Sequence, residues 1–187
     1  MIFETIIISV DPQGVAHVTP FGVRHEGEKV IISPFRPSKT LDNILSSKSA
    51  TMNLTDDVRV FAGALTKKVT WRLLPASQVT SFRLDGCLSH VELELIDVRE
   101  DAARPQLVMQ VVETQHHKGF DGFNRAQAAV IELAVLTSRL HILPAEKVQS
   151  ELKYLQIAVD KTAGERELEA WGWLTEKIDC YYKDNPA

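Results

Sequence analysis

Four side chains between Arg36 and Thr40 have the chemistry of a phosphate site. A proline-bracketed loop carries Arg36, Ser38, Lys39 and Thr40 within five positions. Arginine offers a fork of donors, lysine a point charge, and hydroxyls can bind the remaining oxygen lone pairs of a phosphate dianion. A helix that begins near Leu41 would add its unpaired N–H groups and the positive end of its dipole. The residues therefore predict a phosphate site, although a solvated turn in which Ser38 or Thr40 caps the helix would contain the same residues.

The loop lies between segments that read as β-structure. Apolar, β-branched runs predict strands at 2–10, 15–20, 29–33 and 50–55, with a short helix at 40–47. A longer hairpin is predicted from strands at 87–99 and 105–116. Short strands joined by tight turns favour a β-barrel or a sandwich.

The pattern changes after position 123. Helical periodicity predicts helices at 124–142, 145–159 and 165–182, the last two forming a helical hairpin. The segment 58–65 fits a short strand or a helix, and residues 66–86 show no clear pattern. We therefore expect a barrel domain over 1–123, with an insertion of uncertain structure at 66–86, and C-terminal helices over 124–187 that pack on the barrel and on a partner.

Several separated motifs resemble one known family. They are R-P-S-K-T at 36–40, T-M-N-L-T-D-D at 51–57, F-G-V-R at 21–24, F-N-R-A at 123–126 and K-T-A-G-E-R-E at 161–167. Their order is similar to that of the split-barrel FMN-binding proteins of the flavin reductase-like superfamily, and more narrowly to the branch described as domain of unknown function 447. The resemblance implies an α+β fold, a split β-barrel with a C-terminal helical hairpin, and FMN as the cofactor.

The resemblance also implies FMN contacts outside the phosphate loop. These are Thr19, Phe21, Gly22, Asn53, Asn124 and Arg125. Glycine would let the backbone approach the flavin ring, although T-P-F-G also fits a plain strand corner. The Asn53 amide fits a flavin contact and a structural role in the barrel equally well. Arg125 would contact phosphate or flavin, or would be an ordinary surface cation.

The activity implied is that of an FMN-dependent oxidoreductase similar to the NAD(P)H:FMN reductases, and no catalytic residue is identified. A nicotinamide donor would dock transiently, because no G-x-G-x-x-G follows a strand. The alternative is a non-catalytic FMN carrier or sensor. A hydrolase or metal enzyme is the least favoured class, since G-x-S-x-G and H-E-x-x-H are absent and His116–His117 fits a solvated loop better than a metal site.

Composition limits the partners. A formal net charge of −4 argues against an extended nucleic-acid surface. Cys87 and Cys180 fit neither a zinc nor a disulfide spacing, which predicts reduced thiols in a cytoplasmic protein. The apolar start, which contains Glu4, is predicted to be a strand and neither a signal peptide nor a membrane span. The amount of apolar surface predicts a homodimer with FMN near the interface.

Overall fold

The chain divides into two compact units in the computed structural model, which describes residues 1–68 and 71–185. The first unit consists of Met1–Thr55 and Trp71–Phe120, and the second of Asp56–Thr70 and Asp121–Ala187. The segment just after residue 55 therefore belongs with the C-terminal helices. The domain boundary predicted at 123/124 would instead place this segment in the barrel domain, and that boundary stays a prediction.

Eight strands and one helix make up the first unit. They are β1 (Phe3–Val10), β2 (Ala16–Glu26), β3 (Lys29–Ile32), α1 (Lys39–Ser47), β4 (Ser49–Leu54), β5 (Leu73–Pro75), β6 (Phe82–Leu84), β7 (Ser89–Arg99) and β8 (Gln106–His116). Six of them close an antiparallel barrel in the order β1-β2-β3-β8-β7-β4. The predicted barrel is confirmed. The strand predicted at 15–20 extends further, because residues 21–24 continue β2 in register with β1 and then with β3.

Strand β1 is buried on both faces for two different reasons. Ile7 belongs to the core inside the barrel. Its neighbours Ile6 and Ile8 point to the opposite face, since side chains alternate along a strand, yet both are 0% exposed. The segment that leads into β6 covers this outer face, and the Ser81 hydroxyl donates to the carbonyl of Ile8 (3.1 Å).

The short helix α1 covers one end of the barrel. Leu41 and Ile44 are fully buried and belong to the barrel core. The helix begins at Lys39 because Ser38 caps it, and it ends where Lys48 takes a left-handed conformation (φ 58°). The start of α1 lies beside the hairpin turns that follow β1 and β7, since the Lys39 ammonium is 3.9 Å from the Asp11 carboxylate and the backbone N–H of Arg36 donates to the carbonyl of Ala103 (2.8 Å).

Of residues 66–86, for which the sequence gives no clear pattern, Thr66 ends α2 and residues 71–86 form a small β5–β6 hairpin with its flanking loops, while residues 69 and 70 lie outside the described residues. This hairpin packs on the outer face of the barrel, where the Thr51 hydroxyl donates to the carbonyl of Phe82 (2.5 Å). Three-residue strands carry too short a pattern to be detected by alternation. Their position depends on contacts with distant strands.

Four helices make up the second unit: α2 (Arg59–Thr66), α3 (Arg125–Thr137), α4 (Ala145–Thr162) and α5 (Glu165–Asp184). Residues 58–65, which the sequence leaves open between strand and helix, are therefore mostly helical. Both α4 and α5 pack against α3, and the Trp171 indole of α5 donates to Gln156 of α4 (2.9 Å).

The third helix is shorter than the predicted 124–142. The hydroxyls of Thr137 and Ser138 donate to the carbonyls of Leu133 and Val135, which competes with continuation of the helix. Pro144 is the N-cap of α4, one position before its first helical residue. In the described ranges 1–68 and 71–185, every helix is too short or too polar to span a membrane.

Candidate functional site

The predicted phosphate loop lies where β3 leads into α1. Ser38 is the N-cap, and its Oγ accepts the backbone N–H of Leu41 (3.3 Å). The expected helix cap is therefore present, and the Ser38 hydroxyl still has its own proton to donate. Because the Ser38 oxygen accepts only from the first turn of its own helix, the hydroxyl can cap the helix and donate to a ligand at the same time.

The two cations of the loop are accessible and weakly held. A guanidinium nitrogen of Arg36 lies 3.0 Å from a carboxylate oxygen of Glu100, and their side chains are 41% and 72% exposed. The ammonium of Lys39 lies 3.9 Å from a carboxylate oxygen of Asp11. Exposed pairs of this kind contribute little to stability. An incoming dianion can therefore compete for both cations.

The first turn of α1 adds donors that no described residue uses. The backbone N–H groups of Lys39 and Thr40 make no hydrogen bond within the described ranges, as is usual at a helix start. Thr40 is only 2% exposed, and its hydroxyl also makes no hydrogen bond to any described residue. These donors and the two cations belong to one five-residue stretch.

One predicted ring contact lies close to this loop. The Thr19 hydroxyl is 2.7 Å from Nε2 of His17. Burial, and next the charge of Lys39, lower the pKa of His17. The charge of Lys39 therefore acts on the imidazole that the Thr19 hydroxyl contacts, although Thr19 and Lys39 are twenty positions apart in sequence.

Phe21 and Gly22 serve the barrel itself. Phe21 is partly buried against the barrel core. A Cβ on Gly22 would lie 2.8 Å from Cγ2 of Ile2 and 3.3 Å from Oε1 of Glu4, so side chains around the start of β1 suffice to explain the glycine. Gly22 also lines a surface depression, together with Arg24 and Arg104.

Asn53 is a structural amide in this fold. It is 0% exposed, and its nitrogen donates to the carbonyl of Ile6 (3.5 Å) and to the Thr51 hydroxyl (3.0 Å). Its oxygen accepts the backbone N–H of Leu84 (2.9 Å). Of the two interpretations offered by the sequence, the geometry favours the structural one, because both polar atoms are used inside the protein.

The motifs around Asn124 and Lys161 meet within the second unit. Asn124 caps α3 through the N–H groups of Ala126 (2.8 Å) and Gln127 (3.4 Å), and its amide donates to the carbonyl of Thr162 (2.9 Å). Arg125 is exposed at the first position of α3. These two motifs therefore meet at a junction between helices, and this structural role accounts for part of their resemblance to the family.

A polar cluster that the sequence interpretation missed surrounds Glu92. This carboxylate is 0% exposed and accepts the backbone N–H groups of Ser77 (2.8 Å), Gln78 (2.6 Å) and Val79 (3.0 Å). It also lies 3.2 Å from Nε2 of the buried His90. The sequence did contain a signal for this cluster, namely a histidine and a glutamate two positions apart on the same face of an apolar strand. Within the described ranges, no group of three potential ligands is arranged for a metal ion.

His117, predicted to lie in a solvated loop, has an exposed side chain whose ring meets that of His90 edge to edge. The two ring centroids are 5.1 Å apart with an interplanar angle of 10°, and Nδ1 of His90 lies 2.9 Å from Nε2 of His117. The imidazole is therefore part of an ordered contact.

Family models cover most of the chain. The N-terminal domain of a protein of unknown function, DUF447, matches residues 3–118, and the model described as protein of unknown function (DUF447) matches residues 124–176. The chain belongs to the DUF447 family. The resemblance found in the separated motifs is thereby confirmed.

Solved structures share the fold. An FMN-bound DUF447 protein from Methanosarcina mazei is 20% identical, covers 94% of each chain and superposes with a TM-score of 0.81. The Pseudomonas fluorescens 2-nitrobenzoate 2-nitroreductase is 16% identical over 61% of this chain and 64% of its own, with a TM-score of 0.55. A flavoredoxin from Methanosarcina acetivorans is 12% identical over 61% and 68%, with a TM-score of 0.53.

These matches establish the flavin reductase-like split barrel with C-terminal helices as the fold of this DUF447 chain. A search among curated proteins gives no match.

Proposed function

We propose that this DUF447 protein is an FMN-binding flavoprotein, with the flavin phosphate held by the Arg36–Thr40 loop. The observation that carries the proposal is the full-length match to a member of the same family that is FMN-bound. The loop supports it independently, because it joins two accessible cations to a helix start with free donors.

The residues fit an organic phosphate. Arg36 and Lys39 would supply the charge, while the hydroxyls of Ser38 and Thr40 and the first N–H groups of α1 would donate hydrogen bonds. Thr40 supports this assignment most specifically, since its hydroxyl has no hydrogen-bond partner among the described residues although the residue is only 2% exposed. Thr19 and Phe21 would lie along the flavin ring, and Gly22 would let the backbone approach the edge of that ring.

The other predicted contacts differ in whether they could contact the flavin directly. Arg125, which is exposed in the second unit, remains a candidate for the flavin, whereas both polar atoms of the Asn124 amide are used at the start of α3. Asn53 would act indirectly, by holding β4 to β1 and to the β5–β6 hairpin, because its amide is fully engaged.

A redox role follows from the cofactor. When bound, FMN supplies hydride and electron transfer, and the chain contributes binding, orientation and control of water access. We propose an oxidoreductase of the NAD(P)H:FMN reductase type in the cytoplasm, with transient docking of the nicotinamide. A homodimer with FMN near the interface is part of the proposal, supported by exposed apolar side chains such as Tyr154 (71%), Ile157 (49%) and Leu168 (54%) on the helices.

The test begins with apo-protein titrated with FMN while flavin fluorescence is followed. We expect saturable binding of one FMN per chain. The holoprotein is then mixed with NADH or NADPH under anaerobic conditions, and bleaching of the visible flavin absorption is recorded. Bleaching by either donor supports the oxidoreductase, and tight FMN retention without bleaching supports the carrier. Failure to bind FMN would overturn the proposal.

A further inference from the structure

A surface depression on the barrel wall contains two arginines and, among the described residues that line it, no acidic side chain. Its polar and glycine lining comes from β2, from the end of β3 and from the start of β8: Gly22, Arg24, Ser33, Arg104 and Gln106. Val23, between Gly22 and Arg24, belongs to the core inside the barrel, and side chains alternate along a strand. The depression therefore lies on the outer face of the barrel, and all its lining residues belong to the first unit.

Arg24 brings an uncompensated positive charge to this depression. Its side chain makes no hydrogen bond or ion pair with any residue in the described ranges 1–68 and 71–185. Glu26, two positions further on, is bonded to Arg99 instead (2.9 Å). Glu4, which pairs with Gly22 across β1 and β2, is exposed. The guanidinium of Arg24 is therefore available to an anion that enters the depression.

Arg104 is held in place by its own neighbours. Its Nε donates to the carbonyl of Ser33 (2.9 Å), and its guanidinium carbon lies 4.7 Å from the centroid of the Phe35 ring. The two terminal nitrogens of this guanidinium make no hydrogen bond to any described residue. The side chain is thus oriented before a ligand arrives, which lowers the entropy lost on binding.

Neutral donors and apolar side chains complete the depression. Ser33 is 9% exposed, and its hydroxyl has no hydrogen-bond partner among the described residues. Gln106 accepts from Arg99 through its amide oxygen (3.4 Å), which leaves its NH₂ group to donate. Ile31 and Ile2 are the apolar lining residues. Two guanidinium groups with a hydroxyl and an amide offer more donors than the two oxygens of a carboxylate need, and they suit the three terminal oxygens of a phosphate ester.

We propose that this depression binds a phosphate monoester other than FMN, with the phosphate between Arg24 and Arg104. The organic part of the ester would lie against the two apolar lining residues, Ile31 and Ile2. Binding here requires no metal and no redox partner, and it does not depend on FMN.

The depression adjoins the Arg36–Thr40 loop. The backbone N–H of Arg36 donates to the carbonyl of Ala103 (2.8 Å), the residue just before Arg104. The ester would thus lie beside the flavin phosphate and fits the role of a phosphorylated substrate. That role as a substrate, unlike the binding itself, rests on the proposed function.

The test is isothermal titration calorimetry of the full chain, with and without FMN, using phenyl phosphate as the probe. We expect one phenyl phosphate per chain in both forms. Inorganic phosphate should bind about tenfold more weakly, because it leaves the two isoleucines uncovered. Arg24→Ala should weaken phenyl phosphate binding by about tenfold or more, and Arg24→Lys should recover part of the affinity, since the charge returns without the fork. Arg72→Ala, which removes an exposed arginine of the same unit, is the matched control and should bind like wild type.

A second readout needs no variant. In ¹⁵N-labelled wild-type protein, the Nε–H signals of Arg24 and Arg104 should shift on addition of phenyl phosphate, with the midpoint found by calorimetry. Signals that do not move at saturating probe would overturn the site.

The remaining outcomes separate this site from the flavin site. Absence of phenyl phosphate binding, or equal affinity in wild type and folded Arg24→Ala, would overturn the site, and equal affinity for inorganic phosphate would overturn the ester. If phenyl phosphate displaces FMN, and Arg24→Ala weakens both ligands equally, then the depression holds the flavin phosphate and the inference is wrong. A chain that binds phenyl phosphate through Arg24 but binds no FMN would support this site while the proposed function fails.

Discussion

Replacing Glu92 with glutamine should destabilise the first unit by about 3 kcal/mol at neutral pH. The pKa of Glu92 falls from an ordinary value of 4.5 to about 2 in the folded protein, and each unit of such a shift corresponds to about 1.4 kcal/mol. Because the folded-state pKa is depressed, this stabilisation is complete above about pH 4.5 and is lost as the pH falls through about 2. Glutamine cannot accept from all the N–H groups that now converge on the carboxylate.

The assay combines urea unfolding with amide hydrogen exchange. Wild type and Glu92→Gln are compared at pH 7 and at pH 3, and the difference in unfolding free energy should be smaller at the lower pH. The amides of Ser77, Gln78 and Val79 should lose protection in the variant, because they donate to this carboxylate. Glu94→Gln on the same strand is the matched control, since Glu94 is exposed and surface changes usually stay within about 0.5 kcal/mol. Equal stability and equal exchange in Glu92→Gln and wild type would refute the reasoning.

Three further predictions concern the cofactor, the barrel and the assembly. Arg36→Ala combined with Lys39→Ala should weaken FMN binding by about 3 kcal/mol, roughly 100-fold, as two charge-assisted hydrogen bonds are lost against weak surface pairs. Riboflavin binding should change little, and Arg99→Ala should affect neither ligand; equal losses for FMN and riboflavin would show that the pair does not bind the phosphate. Asn53→Leu should lower the thermal unfolding midpoint, because the backbone groups of β1 and β6 lose their partner, and an unchanged midpoint would contradict that role. Light scattering at micromolar concentration should give the mass of two chains, and a monomer would count against the dimer.

The barrel was predictable because its signals are local. Alternating and β-branched runs mark β1, β3, β4, β7 and β8, and S-K-T before an amphipathic turn marks the cap of α1 at Ser38. These features depend on residues within a few positions of each other. The candidate loop was found for the same reason.

The rest depends on contacts between distant strands. The β5–β6 hairpin is held by Glu92, more than ten positions further along the chain, and by Thr51 from β4. The role of Asn53 is likewise set by Ile6 and Leu84. A single sequence gives the types of these residues but not their partners, so an amide suited to a ligand and an amide that joins strands look alike.

A crystal structure of the FMN-loaded protein tests the central proposal most directly. The account predicts the flavin phosphate within hydrogen-bond distance of the Lys39 ammonium, the Arg36 guanidinium and the first N–H groups of α1. A phosphate bound elsewhere, with Arg36 and Lys39 still paired only to Glu100 and Asp11, would contradict it.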